Sequence, residues 1–201
     1  GPQLNVSLEQ RTALIVYNWQ SSVEDRDRAL LREAFAQCHP IAEQLSVLFL
    51  VVVEKRSSQW EPQMPSEGND MRVFQEDIGK LDIPVVCLVD GNISGLGVAL
   101  LLECDMVITT QTSTFRPLGG RMDTAIISSQ EALNLGLVGR MLNDASELLK
   151  EFGVLQKQFE GCMPRSLQNM KGAMRNMREL LQEKPAFQVA LGLQGLPRDA
   201  G

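Results

Sequence analysis

The sequence predicts an α/β domain built on a mainly parallel sheet, and three observations lead there. Two apolar runs, Val47 to Val53 and Val85 to Val89, lack the in–out alternation of a strand with one wet face. Such runs mark parallel strands covered on both sides. Stretches with apolar residues at helical spacing lie before and between them, the order expected of strand–helix–strand units. The third observation is a turn punctuated by Gly91, Gly95 and Gly97. It leads into Val98 to Leu102, apolar all round and therefore a helix buried on every side.

Composition bounds the possibilities. The chain has 201 residues, 44% of them hydrophobic, enough for one domain with a sizeable core. No apolar stretch approaches the ~20 residues that span a bilayer, so no membrane span is expected. Gly1-Pro2 reads as the scar of a tag-removing protease and is set aside, with residue 3 the expected start of a segment cut from a longer polypeptide. A net charge of -6 and a pI near 4.9 argue against nucleic acid or an anionic membrane as partner. Cys38, Cys87, Cys104 and Cys162 form no CxxC pair and have no zinc-site spacing, so reduced thiols and a cytoplasmic location are expected. His39, the one imidazole, precedes Pro40 and is expected on a helix-ending turn in a structural role.

The elements follow in order. Thr12 to Tyr17 is rich in β-formers and predicts a strand. Leu30, Leu31, Ala34 and Phe35 predict a helix over 26–37, which Pro40 ends or kinks. Val47 to Val53 is the first fully buried strand, and the polar, Ser-, Pro- and Gly-containing stretch 55–69 is a loop. A helix over 71–81 precedes Pro84, which opens the second buried strand. After the glycine turn and the apolar helix, Met106 to Thr109 is a further short strand. Helices are expected over 129–135, 145–159 and 164–181. These spans divide the chain into an α/β core over 3–127 and a helical region over 128–196.

The segment Ile83 to Asp105 closely resembles the central signature of the crotonase (enoyl-CoA hydratase/isomerase) superfamily. That signature is a Pro-initiated strand, a glycine, a glycine triplet, and a buried helix ending in Cys-Asp. Thr114-Phe115-Arg116-Pro117 is similar to the family's Phe-Gly-x-Pro-Glu segment, and Ile127 to Val138 to its "IsaeeAlrwGLV" segment. Pro164 to Arg175 resembles its C-terminal helix. The resemblance implies a ββα spiral core with a helical C-terminal region that assembles copies, most simply as a trimer. A phosphate cradle is disfavoured, because the spacing of Gly91, Gly95 and Gly97 fits neither the dinucleotide fingerprint nor a P-loop.

By resemblance, the chemistry runs through an oxyanion hole. A backbone N–H at the start of the buried helix points at a thioester oxygen, and the position that carries it is Leu96. Helix N-termini offer unpaired donors and partial positive charge, which suit an enolate. The second donor comes from the loop after the second strand, where Ser58 or Gln59 stands nearest, without the family's Gly and Asp. The family's two glutamates align with Ala99 and Leu118, so both are missing. Among replacements, Asp123 lies nearest the missing site; Glu103 and Asp105, at the far end of the helix, read as caps or ion-pair partners. Tyr17 and Lys55 could supply polar groups near the pocket, although a strand-end Tyr and a loop Lys read more plainly as structural and solvated. Lys55, Arg56, Lys171 and Arg175 are the basic residues placed, by resemblance, to meet the phosphates of CoA or of a carrier protein's phosphopantetheine arm; solvated surface charge is the plainer alternative.

Two functions stay open. One is a thioester enzyme using CoA or an acyl carrier protein, of the decarboxylase kind found in polyketide β-branching. The other is a crotonase-fold pseudoenzyme kept for docking, its pocket filled by Leu96 and Leu118. The stretch between Phe115 and Ile127 is short for the family, by deletion or by a gap. Ordinary hydration is excluded by either function, since each general acid/base contributes ~10²–10⁴ in rate. Assayed with crotonyl-CoA, the protein is expected to stay below the ~1–10³ s⁻¹ of ordinary enzymes.

Overall fold

The computed structural model describes residues 2–19, 24–54, 71–117 and 126–193. The chain opens with strands β1 (Gln3–Ser7) and β2 (Thr12–Trp19), then helix α1 (Glu24–Cys38) and a 3-10 turn over His39–Gln44. Strand β3 (Val47–Glu54), helix α2 (Gln75–Gly79) and strands β4 (Val85–Asp90) and β5 (Asn92–Ser94) follow. Helix α3 (Leu96–Glu103) leads to β6 (Met106–Thr110), β7 (Thr114–Arg116) and β8 (Ile127–Ser128). The remainder is α4 (Ser129–Leu135), β9 (Arg140–Leu142), α5 (Ala145–Glu160), α6 (Pro164–Gln182) and α7 (Pro185–Ala190).

Six strands form one sheet in the order β1-β2-β3-β4-β6-β9, parallel throughout except for the antiparallel edge pair β1–β2. A second, three-stranded sheet has the order β5-β7-β8. The continuous apolar runs earn their burial by serving both faces. Leu48, Leu50 and Val52 of β3 join Val85, Cys87 and Val89 of β4 in a core shared with α1, α2 and α3. The residues between them, Val47 and Phe49 with Val86 and Leu88, pack instead against Leu148, Leu155 and Phe159 of α5. Residues that pair across parallel strands share a face, so Tyr17, Val52, Val89 and Thr109 form one row on the α3 side.

The expected strands and helices appear, with differences at the ends. Pro40 sits in the first turn of the 3-10 segment, where its missing N–H costs nothing, and α1 stops at Cys38. Helix α2 is shorter than the expected 71–81, because Met71 to Phe74 form a turn whose buried members, Met71 and Phe74, supply apolar contacts without helical geometry. Strands β1, β5, β7, β8 and β9 and helix α7 had no sequence signal. Most are two or three residues long, and β1 is a largely exposed edge without an apolar face. The helical region is not a separate core: Phe187 and Leu191 lie in the cluster that holds the strand residues of β2 to β4.

The longest reach within the fold belongs to α6. Its Lys171 Nζ donates to Asp105 Oδ2 at 2.7 Å and to the carbonyls of Ile83 at 3.0 Å and Ile78 at 3.3 Å. Asp105 Oδ2 also accepts from the Val85 N–H at 2.8 Å, which ties the start of β4 to the end of α3 and to α6. Both side chains are buried, at 7% and 0% exposure. Burial pushes the Lys171 pKa below its ordinary value, and Asp105 pulls it back up. Removing one partner of such a pair leaves the other charge uncompensated. In urea melts Asp105→Ala is expected to lose about 3–5 kcal/mol, and Asp105→Leu with Lys171→Met to recover most of it.

Candidate oxyanion site at the start of the buried helix

The site is built on a turn fixed by small hydroxyl side chains. Gly91 and Gly95 take φ values of 124° and 58°, backbone conformations that side chains disfavour. The Gly91 N–H donates to Ser113 Oγ at 3.1 Å, and the Gly91 carbonyl accepts from the Thr114 N–H at 3.0 Å. Thr110 Oγ1 donates to Asp90 Oδ1 at 2.8 Å and meets Ser113 Oγ at 2.8 Å. Ser129 Oγ is within 2.8 Å of the carbonyl oxygens of Thr110 and 2.7 Å of that of Ser113. These contacts hold the ends of β4 and β6 around the turn. Sequence reading missed them, since scattered Ser and Thr carry no periodic signal.

Helix α3 starts directly after Gly95, which forms no side-chain cap. The N–H groups of Val98 and Ala99 donate to the Gly95 carbonyl at 3.1 and 3.3 Å. Among the described residues, none of the hydrogen bonds of this turn comes from the Leu96 N–H. Asn92 Oδ1, three residues before Gly95, accepts from Thr114 Oγ1 at 2.6 Å. Leu96 is 2% exposed and lies in the main core cluster. An N–H in the first turn of a buried helix, with no cap, has the geometry to receive an oxyanion. Ala99 is fully buried and α3 has no acidic residue in its first turn, so no carboxylate arises from this helix to move a proton there.

The far end of α3 is treated in the opposite way. Leu101 O accepts from Arg178 Nη2 at 2.6 Å and Leu102 O from Gln182 Nε2 at 2.9 Å, both donors from α6. Leu100 O accepts from Cys104 Sγ at 3.2 Å. Arg178 Nη1 also reaches the carbonyls of Leu137 at 3.2 Å and Gly136 at 3.4 Å. Glu103 pairs with Arg72 at 2.6 Å and with Arg175 at 3.6 Å, and burial raises its pKa against the pull of those cations.

These contacts correct the expectation for two of the basic residues. Lys171 directs Nζ to three internal acceptors and has no N–H left for a phosphate. Arg175 faces Glu103 and Asp105 at 3.6 and 3.7 Å. Both stand at the C-terminal end of α3, about 12 Å by helical rise from the Leu96 amide. Neither is the solvated surface charge of the plainer alternative. The sequence signal was present but misread: residues 171, 175, 178 and 182 recur at helical spacing and form the inward polar stripe of α6. Glu103 and Asp105 are ion-pair partners, as expected from their place at the end of the helix.

Tyr17 is fully buried and donates from its hydroxyl to Asp27 Oδ2 of α1 at 3.1 Å, a pairing the sequence did not reveal. His39 Nε2 lies 3.1 Å from the Asp77 carbonyl, joining the 3-10 turn to α2. Lys55, Arg56, Ser58, Gln59, Leu118 and Asp123 lie outside the described residues. Among the described residues no helix is long and apolar enough to cross a membrane.

No family model and no curated protein matches the sequence. Solved structures do match the fold. A probable enoyl-CoA hydratase from Mycobacterium thermoresistibile superposes with a TM-score of 0.67 at 19% identity, covering 95% of this chain and 93% of that one. An enoyl-CoA hydratase/isomerase from Pseudoalteromonas atlantica T6c gives a TM-score of 0.60 at 23% identity, covering 96% and 88%. A methylmalonyl-CoA decarboxylase gives 0.66 at 14% identity, covering 95% and 93%. The chain has the crotonase fold. The crotonase-fold signature in the sequence and the three-dimensional match therefore agree, although identity stays low.

Gly97 offers a direct check on the turn. A Cβ there would stand 2.6 Å from Ile93 Cγ2, and Ile93 is β-branched and buried, with little freedom to move. Gly97→Ala is expected to cost about 1–3 kcal/mol in chemical denaturation. Adding Ile93→Ala, which removes the clashing methyl, is expected to make the second substitution cost less than it does in the parent.

Proposed function

We propose that the protein binds an acyl thioester of CoA or of an acyl carrier protein and holds its carbonyl oxygen on the Leu96 N–H, supporting decarboxylation rather than hydration. The observation that carries this reading is the uncapped, buried Leu96 amide at the first turn of α3. When a β-carboxylated acyl thioester loses CO₂, the bond between the α-carbon and the carboxyl carbon breaks. Its electron pair becomes the enolate, with the negative charge on the thioester oxygen, and solvent then supplies the proton to the α-carbon. The step needs a donor to the oxygen and no base to begin, which fits a site with alanine at position 99. Structural likeness to a methylmalonyl-CoA decarboxylase gives the substrate class its support. Lys55 and Arg56, directly after β3 in sequence, are the basic residues left to meet the carrier's phosphates, and Ser58 or Gln59 the second oxyanion donor.

The reading assigns the thioester to the core over 3–127 and assembly, as a homotrimer, to the region over 128–196. Met163, Met177, Leu180 and Val189 are 72%, 66%, 67% and 61% exposed on that region, apolar side chains available for contact with further copies. A polyketide β-branching role remains part of the proposal, resting on the missing glutamates.

The test replaces the Leu96 peptide N–H by an ester through backbone synthesis, keeping the side chain. With malonyl- or methylmalonyl-CoA, the parent is expected to release CO₂ and the ester variant to be slower by ~10²–10³. Equal rates in the two proteins would remove Leu96 from the mechanism. Failure of the parent to bind or turn over any thioester would favour the docking role of a pseudoenzyme.

A further inference from the structure

We infer that Arg178 and Gln182 are positioning residues for the Leu96 amide, acting through the body of α3 from its opposite end. The function of the position rests on the proposed reading of Leu96 as oxyanion donor; the mechanical coupling does not. Helix α3 has eight residues, all buried, and its last turn would leave carbonyl oxygens without partners. Two of these, Leu101 O and Leu102 O, are filled by Arg178 and Gln182 from α6, 77 and 80 residues away in sequence. The same guanidinium fastens to Leu137 O and Gly136 O beyond the end of α4, so it anchors α3 to a second element and not only to α6.

The two ends of the helix differ in kind. The C-terminal carbonyls meet fixed side-chain donors, and Arg178 brings a cation where the helix dipole favours one. The N-terminal turn has no side-chain cap and follows a glycine in the left-handed half of backbone space. A rigid segment held at one end transmits its axial placement to the other, because eight helical residues leave no joint between them. Gly97, packed on Ile93, fixes how closely the first turn lies on β5, and the α6 donors fix how far along its axis the helix sits. Their combination places the Leu96 nitrogen. An oxyanion donor displaced by a fraction of an ångström loses much of its effect, since the geometry must fit the oxygen as charge develops.

The experiment reads the Leu96 amide directly. Protein labelled with ¹⁵N-leucine gives a Leu96 cross-peak, identified by its loss in Leu96→Met. In Arg178→Lys, and in Gln182→Met as the milder variant, this peak is expected to shift and the α3 amides to exchange about tenfold faster with solvent. Leu155→Ala, which loosens α5 on the other face of the sheet, serves as the control for general loss of stability and is expected to leave the Leu96 peak in place. An unmoved Leu96 peak in both Arg178→Lys and Gln182→Met overturns the inference, and so does an equal shift in Leu155→Ala. Titration of the parent with acetyl-CoA separates the two claims. No response at Leu96 defeats the thioester reading, while the spectra of the variants still decide the coupling. Where methylmalonyl-CoA is turned over, Gln182→Met is expected to lower kcat with KM unchanged, as befits a donor that acts in the transition state.

Discussion

A helix with no wet face must find partners for its terminal backbone groups inside the protein, and α3 is such a helix. Every residue from Leu96 to Glu103 is buried, so water cannot take the carbonyls of the last turn. A buried polar group left unpaired costs about 1–3 kcal/mol, a large share of the stability of any domain. The chain answers with donors from α6, and that answer determines much of the rest. It requires α6 to cross the end of α3 in one register, which sets Lys171 beside Asp105 and Arg175 beside Glu103. It also makes the helical region inseparable from the sheet, since the groups that complete α3 come from the far end of the sequence.

The charged cluster at that crossing is better understood as a register device than as a source of stability. Buried ion pairs repay their desolvation only when the remaining polar atoms are also satisfied. Here Lys171 has two carbonyls besides its carboxylate, and Asp105 Oδ2 has a backbone N–H besides its lysine. Among the described residues, however, the buried Asp105 Oδ1 has no hydrogen bond and meets only Arg175 Nη1, at 3.7 Å. A helix slid by one turn along α3 would bring Gln182 and Arg178 to the wrong carbonyls and take Lys171 away from the three acceptors it now fills. An apolar stripe would permit such sliding, because any leucine fits against any other about equally well. The polar stripe does not.

The legible part of this protein was the part governed by local pattern. Continuous apolar runs gave away β3 and β4, glycine spacing gave away the turn into α3, and Pro40 gave away the end of α1. The short strands of the second sheet were invisible, because three residues carry no period and their partners are chosen by tertiary placement. The polar stripe of α6 was visible as spacing but not as meaning. Lys171, Arg175 and Arg178 at helical intervals look the same whether they face solvent, a phosphate or buried carbonyls. Only the position of α3 decides among these, and that position is a property of the whole fold. The proposed site divides along the same line: Leu96 was singled out by resemblance and by its glycine neighbours, whereas the hydroxyl network of Thr110, Ser113 and Ser129 and the Tyr17–Asp27 bond depend on contacts no local pattern encodes.

The electrostatics of α3 also bear on which chemistry the fold can retain when acid/base groups are lost. A carboxylate in the first turn of a helix is favoured by the dipole, but as an anion it opposes a second negative charge beside it. A hydratase accepts that opposition in exchange for control of a proton. Here the first turn contains Leu96, Gly97, Val98 and Ala99, and none of them competes with a bound oxyanion. The helix end is therefore more attractive to negative charge and less able to manage protons than it would be with a glutamate in place. Such a site suits a reaction in which the carbon–carbon bond supplies the electrons and no proton need be removed to start it. On the proposed reading, alanine at position 99 leaves the same backbone donor better suited to decarboxylation than to hydration.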